Sequence, residues 1–315
     1  MYKKIKKIFK KLGPGLITGA SDDDPSGIAT YSIAGASQGY SLLWTAFITF
    51  PLMSAIQEMC ARIGVVTEKG LAGNIKTHYK SKVLLYSLGL LIIAAVTINI
   101  GADLAGMTAA FRLIIPVNEL LLTIIITLII IVLMVKFPYK FIASKLKWLT
   151  FALFAYIASA LIIKQDWGQI VYSTFVPKLS LNKETITLVV AILGTTISPY
   201  LFFWQTSQEV EEGILRGEVT VRERRLDASP RTTRRMRIDV WSGMFFSNLI
   251  AFFIFAACAG TLYTSGVTNI VTADQAAAAL APFGQFALLL FALGIVGTGL
   301  LAVPILAGSS AYAIA

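Results

Sequence analysis

Apolar positions along this chain fall in long unbroken runs, and the polar positions collect between them. Runs such as Leu120 to Val135 with its flanks, and Phe245 to Tyr263, reach the roughly 20 residues an α-helix needs to cross a bilayer core. Eight such segments are legible: roughly 12–39, 41–61, 83–111, 119–135, 148–163, 185–208, 238–263 and 283–307. The pattern predicts an all-α, multi-pass membrane protein built as one transmembrane domain over 1–315.

Composition agrees, with 56% hydrophobic and only 14% charged residues. The basic start (Lys3, Lys4, Lys6, Lys7, Lys10, Lys11) runs into a long segment without a small-residue cleavage site, so the first helix is retained. Cys60 and Cys258 both sit inside apolar runs, which supports neither a disulfide framework nor a thiolate metal cluster. The net charge of +10 would suit nucleic acid, but its distribution follows topology. With a cytoplasmic N-terminus at the plasma membrane, the inner segments before 12, at 62–82, at 136–147 and at 216–237 hold 23 of the 27 Lys and Arg. Only Arg112, Lys164, Lys178 and Lys183 fall outside. The stretch Arg222 to Arg237 has no aromatic interleaving, and nucleic acid is excluded as a partner. The lipid bilayer is the partner that composition implies.

Two spans carry interruptions. In the first, Ser21-Asp22-Asp23-Asp24-Pro25-Ser26-Gly27 cannot continue a regular helix, because proline lacks an N–H and the acids are costly in hydrocarbon. In the sixth, Gly194-Thr195-Thr196-Ile197-Ser198-Pro199 does the same at Pro199. Five spans separate the breaks, and an odd number reverses orientation. Residues 12–163 therefore read as one five-helix repeat, with 185–315 as the start of an inverted second repeat. A five-plus-five arrangement needs two spans beyond Ala315, so a longer parent chain is expected.

Broken helices that face each other expose carbonyls and helix ends to a mid-membrane ion or solute. Asp24, beside Pro25, is the strongest cation ligand candidate. Asp22 and Asp23 read either as vestibule groups or as caps for the N–H groups of the second half-helix. Thr195, Thr196, Ser198 and Tyr200 offer only oxygen, and oxygen donors with one carboxylate suit Mg²⁺, Ca²⁺ or Mn²⁺ rather than a soft metal. Ser26 and Gly27 complete the first break. Asp103, in Asn99-Ile100-Gly101-Ala102-Asp103, should face the bundle interior as a proton relay, a partner to a basic group, an element of the ion's approach or a structural contact. Gln205 and Gln208 either line the inner path or sit at the interface. Glu58 and Arg62, four apart, read as an intrahelical pair, and His78 as a solvated loop residue.

The chain resembles the Nramp family of divalent-metal transporters. The likeness rests on Gly13-Pro14-Gly15-Leu16, Asp24-Pro25, Gly64-Val65-Val66-Thr67, Gly70-Leu71-Ala72, Ala102-Asp103-Leu104-Ala105 and Pro199. It implies a LeuT-like fold of inverted repeats with broken helices 1 and 6, the cation as cargo and no cofactor. It also implies Asp24 and the Thr195 carbonyl as ligands. The family's Asp-Pro-Gly-Asn reads Asp24-Pro25-Ser26-Gly27 here, without the Asn amide. Its sixth-helix Met-Pro-His reads Ser198-Pro199-Tyr200, without the soft thioether, and its second sixth-helix histidine falls at Gln205. The acid three residues after the third-helix Asp falls at Gly106. These departures are most like the Nramp-related magnesium-transporter branch, and they predict Mg²⁺ or Mn²⁺ carried by alternating access without the family's proton relay. Two rival readings are a transporter of another, amino-acid-like solute on the same fold and a membrane-embedded Mg²⁺-dependent enzyme. Three adjacent acids disfavour an anionic solute, and the enzyme would need a second acidic or basic constellation where only Asp103 stands.

Overall fold

The structure is a computed structural model that describes residues 14–136, 153–163, 165–178, 180–215, 229–279 and 285–314. The described elements are helical, and they begin with the first break. Helix α1 (Pro14–Asp22) and helix α2 (Pro25–Gln38) are separated only by Asp23 and Asp24. The interruption is thus shorter than the seven-residue stretch the sequence suggested. Pro25 disfavours the helical region for the residue before it, and Asp24 accordingly is extended (φ −71°, ψ 166°). The same ring presets the first position of α2, so helix resumes at once.

Helix α2 ends at Gly39, whose φ of 55° suits glycine, and a 3₁₀ turn (Gly39–Leu42) leads into α3 (Trp44–Thr67). The chain bends by 108° there. Helix α3 runs a turn and a half beyond the expected boundary at 61, because Glu58 neutralises Arg62 and Ile63 to Thr67 continue the apolar run. It stops at Glu68, which adopts φ 62° and donates its N–H to Gly64 O at 2.9 Å. The connection that follows contains a short helix, α4 (Leu71–Tyr79), with His78 exposed on it as expected.

Helix α5 (Lys82–Arg112) and helix α6 (Glu119–Lys136) match the third and fourth predicted spans almost to the residue, and Arg112 pairs with Glu119 across the turn between them. Helix α7 (Phe154–Ile162) is the described part of the fifth span; the rest of that span and the basic segment 137–147 lie outside the described residues. A nine-residue helix, α8 (Trp167–Phe175), capped by Asp166, occupies the next connection. The sixth span is α9 (Lys183–Thr196) and α10 (Pro199–Leu215), broken only at Ile197 and Ser198.

Helix α11 (Pro230–Cys258) starts a full two turns before the predicted 238, with Ser229 as cap and Pro230 in the first turn, and continues through a π-helical turn (Ala259–Tyr263). Helix α12 (Ala273–Ala279) precedes α13 (Gln285–Ile314). Among the described residues, five helices are long and apolar enough to cross a membrane, or six if α2 and α3 count as one bent span. The eight expected spans exceed this because the first is split into pieces of 9 and 14 residues, the second (α3) passes only together with α2, and the fifth is only partly described.

Burial separates centre from periphery. Of the most apolar window in α5 and α6 only 11% and 17% is buried, against 67% in both α11 and α13. Helices α5 and α6 are therefore mostly exposed and peripheral, while α11 and α13 form the middle of the bundle. Helix α1 lies against α11 at van der Waals backbone distance: a Cβ at Gly15 would fall 2.7 Å from Val240 N, and Gly19 and Gly243 meet face to face. This seam fixes the end of α1, and hence the first break, against the central helix.

Candidate cation site at the two helix breaks

Asp24 is the N-cap of α2. Its Oδ1 accepts from Gly27 N at 2.7 Å, satisfying one of the donors a helix start leaves open. The capping role that the sequence offered to Asp22 and Asp23 thus belongs to Asp24. The other oxygen, Oδ2, accepts from Asn99 Nδ2 at 2.7 Å and from Tyr200 Oη at 3.2 Å. Asn99 is on α5 and Tyr200 in the first turn of α10, so Asp24 joins three elements.

Ser26 Oγ lies 2.8 Å from Asp24 Oδ1 and 2.8 Å from Asn99 Oδ1. Its backbone N–H donates to Asp103 Oδ1 at 3.1 Å. Asn99 and Asp103, four apart on α5, therefore grip the same turn of α2 from one helix face. The structural-contact reading of Asp103 holds for Oδ1. Its Oδ2 is buried with no hydrogen-bond partner among the described residues, and no basic group pairs with it.

Asp22 Oδ2 accepts from Ser247 Oγ of α11 at 3.1 Å, while Asp22 Oδ1 and both oxygens of Asp23 are buried with no hydrogen-bond partner among the described residues. Relative exposures of Asp22, Asp23, Asp24 and Asp103 are 0%, 0%, 1% and 0%. The ion pairs among the described residues are Arg62–Glu58, Arg237–Glu58 and Arg112–Glu119, so none of these four carboxylates has a basic partner. Taking even one ion out of water costs several kcal/mol after relaxation, roughly, unless opposite charge compensates.

The second break has a different chemistry. Ser198 Oγ donates to Thr195 O at 2.5 Å, closing the end of α9, and Thr195 Oγ1 borders the space above Gly27. A Cβ placed on Gly27 would sit 3.0 Å from Thr195 Oγ1 and 3.3 Å from Asp24 Oδ1. Thr195 and Asp24 are thus brought together around Gly27, and a larger residue there would push on Thr195. Thr196 Oγ1 shares a 2.9 Å hydrogen bond with Tyr31 Oη on the α2 side. Pro25 and Pro199 each open the second half of a broken helix. No three His, Cys, Asp or Glu side chains converge on one point among the described residues.

Below the breaks, Thr18 Oγ1 lies 2.6 Å from Gln205 Oε1, and Gln205 Nε2 donates to Glu209 Oε1 at 2.7 Å. Gln205 is fully buried, with Thr18 of α1 and Glu209 of α10 as its partners, rather than interfacial. Gln208 is equally buried, but it points to Tyr312 of α13 at 3.3 Å, away from the break. Glu58 is more than an intrahelical partner: besides Arg62 it accepts from Arg237 Nε at 2.8 Å and Trp241 Nε1 at 2.7 Å, tying α3 to α11.

Sequence reasoning gave no role to Asn99, Thr18, Tyr31 or Ser247. For Asn99 a signal existed, since an amide one helical turn before a buried Asp in an apolar span shares its face. Ser247 and Tyr31 carried none, because each finds its partner only through the tertiary fold.

Residues 15–315 match the family described as natural resistance-associated macrophage protein-like (Nramp). The divalent metal cation transporter MntH of Erwinia tasmaniensis is 28% identical over 310 residues, 95% of this chain and 70% of that protein. A crystal structure of the manganese transporter of Eremococcus coleocola, in complex with an aromatic bis-isothiourea substituted compound, superposes with a TM-score of 0.75 at 17% identity, covering 99% of this chain and 67% of the other. A mutant of that same transporter gives a TM-score of 0.69 at 19% identity, with 95% and 65% covered. The fold is the LeuT-like one that the resemblance implied, with helices 1 and 6 broken. This chain belongs to the Nramp family of divalent-metal transporters, which are transporters and not enzymes.

Proposed function

We propose that this protein carries Mg²⁺ across the membrane, with Mn²⁺ competing, and that the ion binds between the two breaks at Asp24, Thr195 and Ser198. One observation supports this above the rest: four carboxylates are buried together around the first break with no basic partner among the described residues. A divalent cation offsets that charge, and an amino acid or other anion would add to it. The side chains hydrogen-bonded to Asp24 are hydroxyl and amide groups, which suits a hard ion. Mg²⁺ gives up water reluctantly and takes few protein ligands, in keeping with a site of one capped carboxylate and small neighbours at Gly27 and Ser198.

Transport proceeds by alternating access around this site. Thr18–Gln205 closes the inner half, and Tyr31–Thr196 closes the outer half. One set of helices rocks against the rest around Asp24 and the sixth-helix carbonyls, with the N-terminus in the cytoplasm at the plasma membrane. The membrane potential drives entry, because Gly106 and Gln205 stand where a proton relay would need titratable groups. The test is uptake into proteoliposomes holding the full chain, with Mg²⁺, Mn²⁺ and Ca²⁺ compared with and without a pH gradient while internal pH is followed. Saturable Mg²⁺ uptake without internal acidification is expected. Uptake confined to transition metals, with coupled acidification, overturns the reading.

A further inference from the structure

We infer that the outward face of α11 binds an anionic phospholipid in the leaflet at the Pro230 end of that helix, with its headgroup on Arg231, Arg234 and Arg235 and an acyl chain in the groove between α3 and α11. Residues three and four apart on a helix are neighbours, so the three arginines share one face. All three are exposed. The ion pairs among the described residues engage Arg62, Arg237 and Arg112, and none of them supplies an acid to this face. Glu58, the acid nearest in the fold, is already taken by Arg62 and Arg237. The guanidinium is a permanent cation, and its planar fork matches phosphate oxygens.

Beyond the arginines the same face turns apolar without leaving the surface. Ile238, Phe245 and Phe246 continue it at helical spacing and are 60%, 48% and 41% exposed, while Met236, Val240 and Met244 on the opposite face are buried. The stripe runs into an open groove of about 150 Å³ lined by Phe47 and Phe50 of α3, Thr174 of α8, and Phe245, Leu249 and Phe252 of α11. Phe50 packs edge-on at 5.7 Å against both Trp241 and Phe245, which holds the wall in place.

The distances fit a lipid. At about 1.5 Å per residue, Phe245 lies roughly 15 Å from Arg235 along the helix, half of the roughly 30 Å of bilayer hydrocarbon. A chain that leaves a headgroup at the arginines therefore reaches the groove within its own leaflet. Charge selects an anionic headgroup, and the apolar stripe selects a lipid over a free anion, which would leave Ile238, Phe245 and the groove unused. This site is separate from the helix breaks and does not depend on which ion is carried.

Native mass spectrometry of the purified full chain, titrated in detergent with phosphatidylglycerol or phosphatidylcholine, tests the inference. Phosphatidylglycerol is expected to bind about tenfold more tightly than phosphatidylcholine. Arg231→Gln, Arg234→Gln and Arg235→Gln combined should weaken phosphatidylglycerol binding by about tenfold or more. Lys76→Gln, Lys80→Gln and Lys82→Gln combined remove the same charge from the connection after α3 and the start of α5, and should change it by less than about twofold. Leu249→Trp fills the groove without altering charge and should weaken binding severalfold, and it carries the test if the arginine variant does not fold. Equal weakening in the two glutamine triples would mean diffuse surface charge and overturn the site. Unchanged affinity in the arginine triple, or in Leu249→Trp, would overturn it as well. Displacement of phosphatidylglycerol by an equal concentration of glycerol phosphate would mark a site for free anions and overturn the lipid assignment.

Discussion

The two helix breaks look alike in sequence and differ in what they do. Each is two residues long and each ends at a proline that starts the next helix. At the first, the residue before proline is Asp24, whose side chain reaches forward to Gly27 N and caps α2. At the second it is Ser198, whose hydroxyl reaches back to Thr195 O and closes α9. The forward-facing break therefore concentrates negative charge, and the backward-facing one supplies only dipoles. An ion site assembled this way has its affinity on one helix and its shape and selectivity on the other.

Removing the charge of the first break breaks the comparison most severely. Asp24→Asn keeps size and capping ability but removes the carboxylate, and Mg²⁺ uptake in proteoliposomes should fall to background. At the second break the effect should appear in preference rather than in uptake. Ser198→Met puts a thioether at the second break and should shift the ranking in competition uptake toward Mn²⁺ and Cd²⁺. An unaltered ranking would count against the view that the second break sets selectivity. The smallest effect is expected where the breaks touch. Tyr200→Phe removes one of the two donors to Asp24 Oδ2 and should weaken Mg²⁺ affinity by roughly tenfold, read by titration, with the ion ranking unmoved.

The same contrast explains how far the sequence could be read. Asp24-Pro25 was legible because a carboxylate and a proline are each improbable in hydrocarbon, and together they leave few explanations. The break's true length was not, because Asp24 caps the very helix that Pro25 begins, so a stretch of seven unfavourable residues folds with only two out of helix. Asn99 was quoted with its motif yet given no role, since its partners lie 73 and 75 residues away on another helix. Gln208 sat close enough to Pro199 to suggest the path, but its position on α10 turns it to Tyr312. Glu58 and Arg62 made the expected pair. Arg237 and Trp241, which complete it, are 179 and 183 residues on, and no local pattern announces them. Element type and span position follow from local hydrophobicity, while the site's second tier of contacts follows from which helices pack together.

The central claim is that the cargo ion sits between the two breaks on Asp24. A crystal structure of the full chain soaked in Mn²⁺, with data collected for anomalous scattering, tests it most directly. The account predicts a peak at coordination distance from Asp24, bordered by Ser26, Thr195 and Asn99. A peak at saturating Mn²⁺ that lies instead at Glu58, or beside Asp22 and Asp23 without contact to Asp24, would contradict it.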